Sequence, residues 1–167
     1  AARRVQRYRL PTEIEWEYAA RGKEGNPFPW QPAEGDQKKN EKGCFYANFK
    51  PDKGNYTDDG NLITSRVGMY GANSNGLYDM AGNVAEWTST VYTEAGVSMM
   101  NDLNPELTYN AAKEDPYMLK RKSVRGGSWK DPISFIRSAW RTYEFQNQPR
   151  SYIGFRCVRS LAATPNK

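Results

Sequence analysis

From Gly25 to Asn75 the chain is rich in Gly, Pro, Asn and Asp and sustains neither a period of 2 nor one of 3.6, the spacings that strands and helices require. This stretch is read as loop. It is ordered loop, because Phe28, Trp30, Phe45, Tyr46 and Phe49 give it rings to bury, which disordered segments lack. The rest of the chain follows suit: 14 Gly and 10 Pro are spread along it, and 11 Tyr and 5 Trp carry much of the packing. The expected class is α+β, irregular and low in regular secondary structure. With 167 residues, 38% of them hydrophobic, a single domain with a real core is expected.

Regular elements are expected in few places. Thr12 to Glu15 fits a capping box, so a helix should run from about Glu13 to Arg21, with Ile14 and Tyr18 on one face, Ala19 and Ala20 allowing close packing, and Gly22 as the stop. Glu13, Glu15 and Glu17 suit the positive end of that helix better than a catalytic pair. Ser123 to Trp129 reads as a strand entering a tight turn, and Arg137 to Tyr143 and Ile153 to Val158 as paired strands. Between them, residues 88–121 read as a long surface insertion, the kind of loop that is usually functional or partner-facing.

Composition removes several chemistries. There is no histidine, which excludes Ser-His-Asp and Cys-His arrangements, His-ligated metals and imidazole acid–base work. The two cysteines, Cys44 and Cys157, lack the CxxC spacing of a zinc or thioredoxin-type motif, and whether they are bridged is open. A net charge of +5 with interspersed signs is too mild and too scattered for a nucleic-acid binder. No stretch approaches the roughly 20 apolar residues of a membrane span. Asp79, Gly82, Asn83 and Glu86, in the run Gly76 to Trp87, combine hard oxygen donors with turn formers, which suits calcium and equally a capped turn.

Arg9 to Gly22, Gly76 to Trp87, Arg125-Gly126-Gly127-Ser128-Trp129 and Gly154-Phe155-Arg156-Cys157, taken in order and spacing, resemble the formylglycine-generating-enzyme (sulfatase-modifying factor) family over about residues 8 to 160. The resemblance implies a variant of the C-type-lectin-like fold pinned by calcium. It also implies that residues 1–167 are the C-terminal part of one such domain, its N-terminal part lying outside the sequence. One calcium site would use Asn48, the Phe49 carbonyl, Asp59 and the Asn61 carbonyl, and the other Asp79, the Gly82 and Val84 carbonyls and Glu86. In the family's enzymes two cysteines after the Gly-Gly-Ser turn bind copper and carry the oxidation. Asp131 and Ile136 stand at those positions here. An aliphatic chain binds no metal and a carboxylate is a hard donor where Cu(I) needs soft sulfur, so no copper, no catalytic residue and no enzyme activity are expected. Cys157 matches a non-catalytic position, and the related iron-dependent sulfoxide synthases need histidines.

Within the family, Asp79 to Thr90, Leu119 to Asp131, Arg141 to Glu144 and Ser151 to Arg156 are similar to the gliding-motility lipoproteins of the GldK/PorK type. That resemblance implies a non-catalytic structural subunit of the type IX secretion machinery. Such a subunit would be lipid-anchored outside this sequence, at the periplasmic face of the outer membrane, and would form a ring with copies of itself and a GldN/PorN-type partner. Tyr92, Met99, Met100, Tyr109 and Tyr117 in the insertion are of the types enriched at interfaces, which makes it the expected subunit contact. Two other functions fit less well. A lectin-like module would bind ligand on Trp129, Trp140, Tyr143 and Tyr152, for which buried core is the plainer reading. An unorthodox oxidase would have to use Asp131 with Tyr143 or Lys130.

Overall fold

The computed structural model describes residues 8–32, 36–51, 57–94 and 107–160. Strand β1 (Tyr8–Arg9) precedes helix α1 (Glu13–Arg21), and the remaining strands are β2 (Ala85–Val91), β3 (Arg121–Arg125), β4 (Thr142–Phe145), β5 (Ile153–Gly154) and β6 (Val158–Arg159). One sheet has the order β4-β3-β2-β5, and β1 pairs with β6 in a second. β2 and β3 are antiparallel with Glu86 opposite Arg125 and Trp87 opposite Val124, while β5 runs parallel to β2. The architecture is mixed, with one α-helix and short strands among the described residues.

α1 starts as its sequence dictates. The Thr12 hydroxyl accepts from the Glu15 amide at 3.3 Å and the Glu15 carboxylate accepts from the Thr12 amide at 2.9 Å, which satisfies two otherwise orphaned donors. Gly22 ends it at φ 65°. The buried face differs from the expected one: Ile14 and Tyr18 are 43% and 77% exposed, and Glu13, Trp16 and Ala20 face inward. The cause is tertiary. Trp16 packs with Ala20 and Met80, and the Arg125 guanidinium lies 5.6 Å from its ring, so Glu13 turns inward with Trp16 to meet that cation.

The long loop is held by rings and side-chain amides. Phe28, Ala47, Phe49, Ala81 and Ile136 form a buried cluster, with Trp30 stacked between Phe28 and Tyr46 at 5.0 and 5.3 Å. Asn73 accepts from the Asn75 and Leu77 amides and donates to the Ala19 and Ala20 carbonyls, and Asn40 accepts from Lys42 and Cys44. These amides do for loop backbone what a ladder does for a strand.

The region read as an insertion is partly sheet. Thr88 to Val91 belong to β2, Arg121 opens β3, and Thr90 bridges Thr108. Tyr92 folds back to lie 4.8 Å from Tyr143, and Tyr117 meets Phe145 edge-on at 5.6 Å, while Tyr117 stays largely exposed. Met99 and Met100 lie outside the described residues. Of the expected strand Arg137 to Tyr143, only Thr142 and Tyr143 fall in β4. Both Cys44 and Cys157 are free and exposed, so no disulfide joins them.

Candidate functional site

β3 is followed by Gly126 and Gly127, both at positive φ, which throw the chain into a tight turn. A Cβ on Gly127 would sit 2.7 Å from the Phe135 carbonyl, so the turn presses directly on the segment that carries residues 131 to 136. Asp131 uses its carboxylate to accept from the Ser128 amide at 2.9 Å and the Ser128 hydroxyl at 2.7 Å, and its carbonyl accepts from Lys50. It caps a turn. Ile136 is 0% exposed and packs in the cluster with Phe28 and Phe49. At the two positions that the resemblance matches to copper-binding cysteines, one side chain closes a turn and the other fills the core.

Beside this turn lies a cleft of about 200 Å³ lined by Lys130, Asp131, Trp140, Tyr143, Glu144 and Tyr152 among others. Trp140 and Tyr143 are exposed, which corrects their reading as core, and Trp129 does not join them in the lining. The three residues of the oxidase reading do meet here. Two of them are committed, however, with Asp131 on Ser128 and the Lys130 ammonium 3.6 Å over the Tyr152 ring, and the neighbouring Glu144 pairs with Arg150 at 2.5 Å.

The segment from Asp79 to Glu86 is built on three left-handed residues, Asp79, Gly82 and Asn83, at φ 53°, 72° and 60°. Gly82 passes against the Asn48 carbonyl, which accepts from the Asn83 amide at 2.8 Å, so the structure brings one member of each proposed calcium set together. Asp79 accepts from the Gly68 amide at 2.7 Å. Glu86 is buried and accepts from the Trp16 indole at 2.7 Å and from Arg156 at 2.5 and 2.7 Å, and Arg156 also reaches the Tyr78 and Asp79 carbonyls. In the other set, Asp59 accepts from the Asn61 amide at 3.0 Å and from the Tyr70 hydroxyl at 3.2 Å, and the Asn48 side chain donates to the Ile63 carbonyl. Phe49 is a core ring whose carbonyl is the expected donor. Burial and the Asp59 charge push the Tyr70 hydroxyl well above the usual tyrosine range. Among the described residues no group of three or more His, Cys, Asp or Glu gathers into a metal cluster. A calcium ion here would depend on amide and carbonyl oxygens as well as carboxylates, a donor set that suits it in kind.

Sequence reasoning missed a buried ionic network. Arg125, fully buried, donates to Glu13 at 2.9 Å, to Glu17 at 2.6 Å and to the Ser138 carbonyl at 2.5 Å. Arg141 clamps Glu13 with two bonds of 2.7 Å, and the Ser123 hydroxyl adds a third partner at 2.9 Å. Burial raises the Glu13 pKa, but Arg141, Arg125 and Ser123 outweigh it and hold the carboxyl below its ordinary value. Glutamates alternating from the start of a helix look like dipole complements; the signal that could have separated Glu13 is an arginine directly before Gly126-Gly127, where little side-chain exposure is available.

The comparisons follow the same motifs. The formylglycine-generating enzyme of Mycobacterium tuberculosis is 38% identical over 157 residues, covering 90% of this chain and 50% of that protein. The mouse protein described as inactive C-alpha-formylglycine-generating enzyme 2 is 34% identical over 163 residues, covering 91% and 43%. Among solved structures, PvdO from Pseudomonas aeruginosa superposes with a TM-score of 0.70 at 31% identity, covering 93% of this chain and 54% of that one. The chain spans half or less of the length of these two curated relatives. With the sulfatase-modifying factor enzyme 1-like domain matched across residues 1–161, this chain belongs to the family of the formylglycine-generating enzymes and their inactive relatives.

Proposed function

We propose that this chain is a non-catalytic member of its family, a structural subunit of the type IX secretion and gliding machinery. One observation carries the first half: Asp131 is a turn cap and Ile136 is core. A copper-dependent oxidation of cysteine needs two soft ligands converging on one ion, and a buried aliphatic side chain offers none. The existence of inactive relatives makes such a fate ordinary in this family. The second half is supported by the motif likeness to GldK/PorK lipoproteins, with a GldN/PorN-type ring partner and a lipid anchor at the periplasmic face of the outer membrane. The C-type-lectin-like description of the fold belongs to the same reading.

One preparation tests both halves. Extracted gently from its cells, the full-length protein should sediment as a large assembly containing the ring partner, and incubation with a cysteine peptide, copper and oxygen should give no aldehyde. Steady turnover of the peptide refutes the first half, and a protein that sediments alone refutes the second.

Calcium forms part of the proposal as a pin for the turn, held by Asp79, the Gly82 and Val84 carbonyls and Glu86, with Asn48, Phe49, Asp59 and Asn61 as the second set. Bound ion stabilises the folded state by mass action. Chelator should lower the melting temperature by several degrees, and Asp79→Asn should make melting insensitive to chelator. Asp79 serves better than Glu86 for this test, because removing Glu86 also strands Arg156. A wild-type melting curve unchanged by chelator leaves the turn to Arg156 and Asx bonding alone.

A further inference from the structure

A cleft on the sheet lies apart from the Asp131 turn and from both oxygen-donor sets. It encloses about 750 Å³ and is lined by Leu10, Trp87, Ser89, Tyr109, Lys122 and Gln146, among others. Trp87 stands opposite Val124 in the sheet, and pleating places Lys122, two residues from Val124, on that same face of β3. Lys122 is only 9% exposed, in a class of side chain that is almost never so buried unless paired. Its partners are the Ser89 and Tyr109 carbonyls, and no carboxylate lies within ion-pair distance of it among the described residues. Glu144, directly across the strand pair, is taken by Arg150, and Arg9 on the cleft wall is taken by Glu15.

An ammonium has three donors and two are used on carbonyls. Burial without a counter-charge works against the charged form and lowers the Lys122 pKa. A carboxylate arriving in the cleft would accept the third donor and supply the missing charge, through a charge-assisted bond to a side chain that is almost buried. The walls say what should be attached to that carboxylate. Leu10 and the Trp87 ring offer apolar surface, while Gln146 is occupied by the Ala111 backbone and adds little polar recognition.

We infer that this cleft is a binding site for an organic carboxylate with an apolar body, in which Lys122 receives the carboxylate and Trp87 and Leu10 receive the apolar part. The inference rests on neither the assembly role nor calcium, although Tyr109 on the cleft wall belongs to the segment expected to contact a neighbouring subunit.

Phenylacetate and its neutral amide, phenylacetamide, separate the two contributions in the wild-type chain. The acid should bind in the millimolar range, raise the melting temperature and shift the Trp87 indole signal in a nuclear magnetic resonance titration. The amide should bind roughly tenfold or more weakly, since it forgoes a charge-assisted bond. Lys122→Met keeps the length of the side chain without its charge and should remove the difference between acid and amide. Short peptides ending in Phe, with free or amidated C-termini, identify the source: a free-ended peptide that outbinds phenylacetate points to a chain terminus, and the reverse to a small acid. The site assignment is overturned if acid and amide bind equally, if the acid fails to bind at tens of millimolar, or if Lys122→Met retains the preference. Should Lys122→Met not fold, the acid and amide comparison on the wild type decides the matter alone.

Discussion

Glu13→Ala should cost the protein a large part of its stability, whereas Glu15→Ala, two residues along the same helix, should cost little. Glu13 is the shared acceptor of Arg125 and Arg141. Arg125 has no exposure to solvent, so removing one of its two carboxylate partners takes from a buried cation a bond that water cannot replace. Breaking a buried pair from one side costs about 3–5 kcal/mol, a large part of the roughly 5–15 kcal/mol by which domains are stable. Glu17 and the Ser138 carbonyl would remain to Arg125, and the Thr93 carbonyl and the Tyr92 ring to Arg141. Glu15 pairs with Arg9 at the surface, where an ion pair is worth about 0–1 kcal/mol, and its loss adds only half of a capping box. Urea unfolding of both variants measures the contrast, and equal midpoints would show that the network contributes no more than a surface pair. Acid should act the same way. The folded Glu13 pKa lies below its unfolded value, so its contribution is complete above the unfolded pKa and is lost as pH falls through the folded one.

Gly82→Ala should be the second most damaging change, and it isolates backbone from charge. Gly82 sits at φ 72°, and a Cβ there would lie 2.1 Å from the Asn48 carbonyl oxygen. Neither side can yield cheaply, because that oxygen accepts from the Asn83 amide and the Gly82 amide donates to the Gly126 carbonyl at 2.9 Å. Relief would open the contact between the Asp79 to Glu86 turn and the Asn48 loop. A loss of about 3 kcal/mol or more is expected from overpacking plus left-handed strain. Gly60→Ala is the control: its φ is 89° with nothing within 4 Å of the added carbon, so only the backbone strain of about 1–2 kcal/mol applies. Denaturant midpoints and soluble yield distinguish the two, and similar losses would mean that the close approach to Asn48 carries no weight.

Much of the candidate site was legible residue by residue. The Gly-Gly turn before Ser128 and the turn-forming character of Asp79 to Glu86 lie in short stretches of sequence, and the resemblance is what singles out Asp131 and Ile136. What those residues do was not. Asp131 became a cap because Ser128 turned back onto it, and Ile136 became core because the ring-bearing loop of Phe28 and Phe49 packs over it. The insertion misread as purely surface held strand residues at both ends, since the β2–β3 register is set by partners, with Trp87 opposite Val124.

The sequence by itself determined the events that close within a few residues. The capping box at Thr12, the stop at Gly22 and the left-handed turn residues are of this kind, because donor, acceptor and backbone conformation are all local. Only the tertiary structure decided which face α1 buries, that Glu13 is an interior anion and that Lys122 lies buried with no carboxylate beside it among the described residues. Arg125 reaches Glu13 across 112 positions, and Arg141 across 128. A charge is cheap at a surface and costly inside, so its role follows from where distant segments bring its partner and exclude water, which no local pattern encodes.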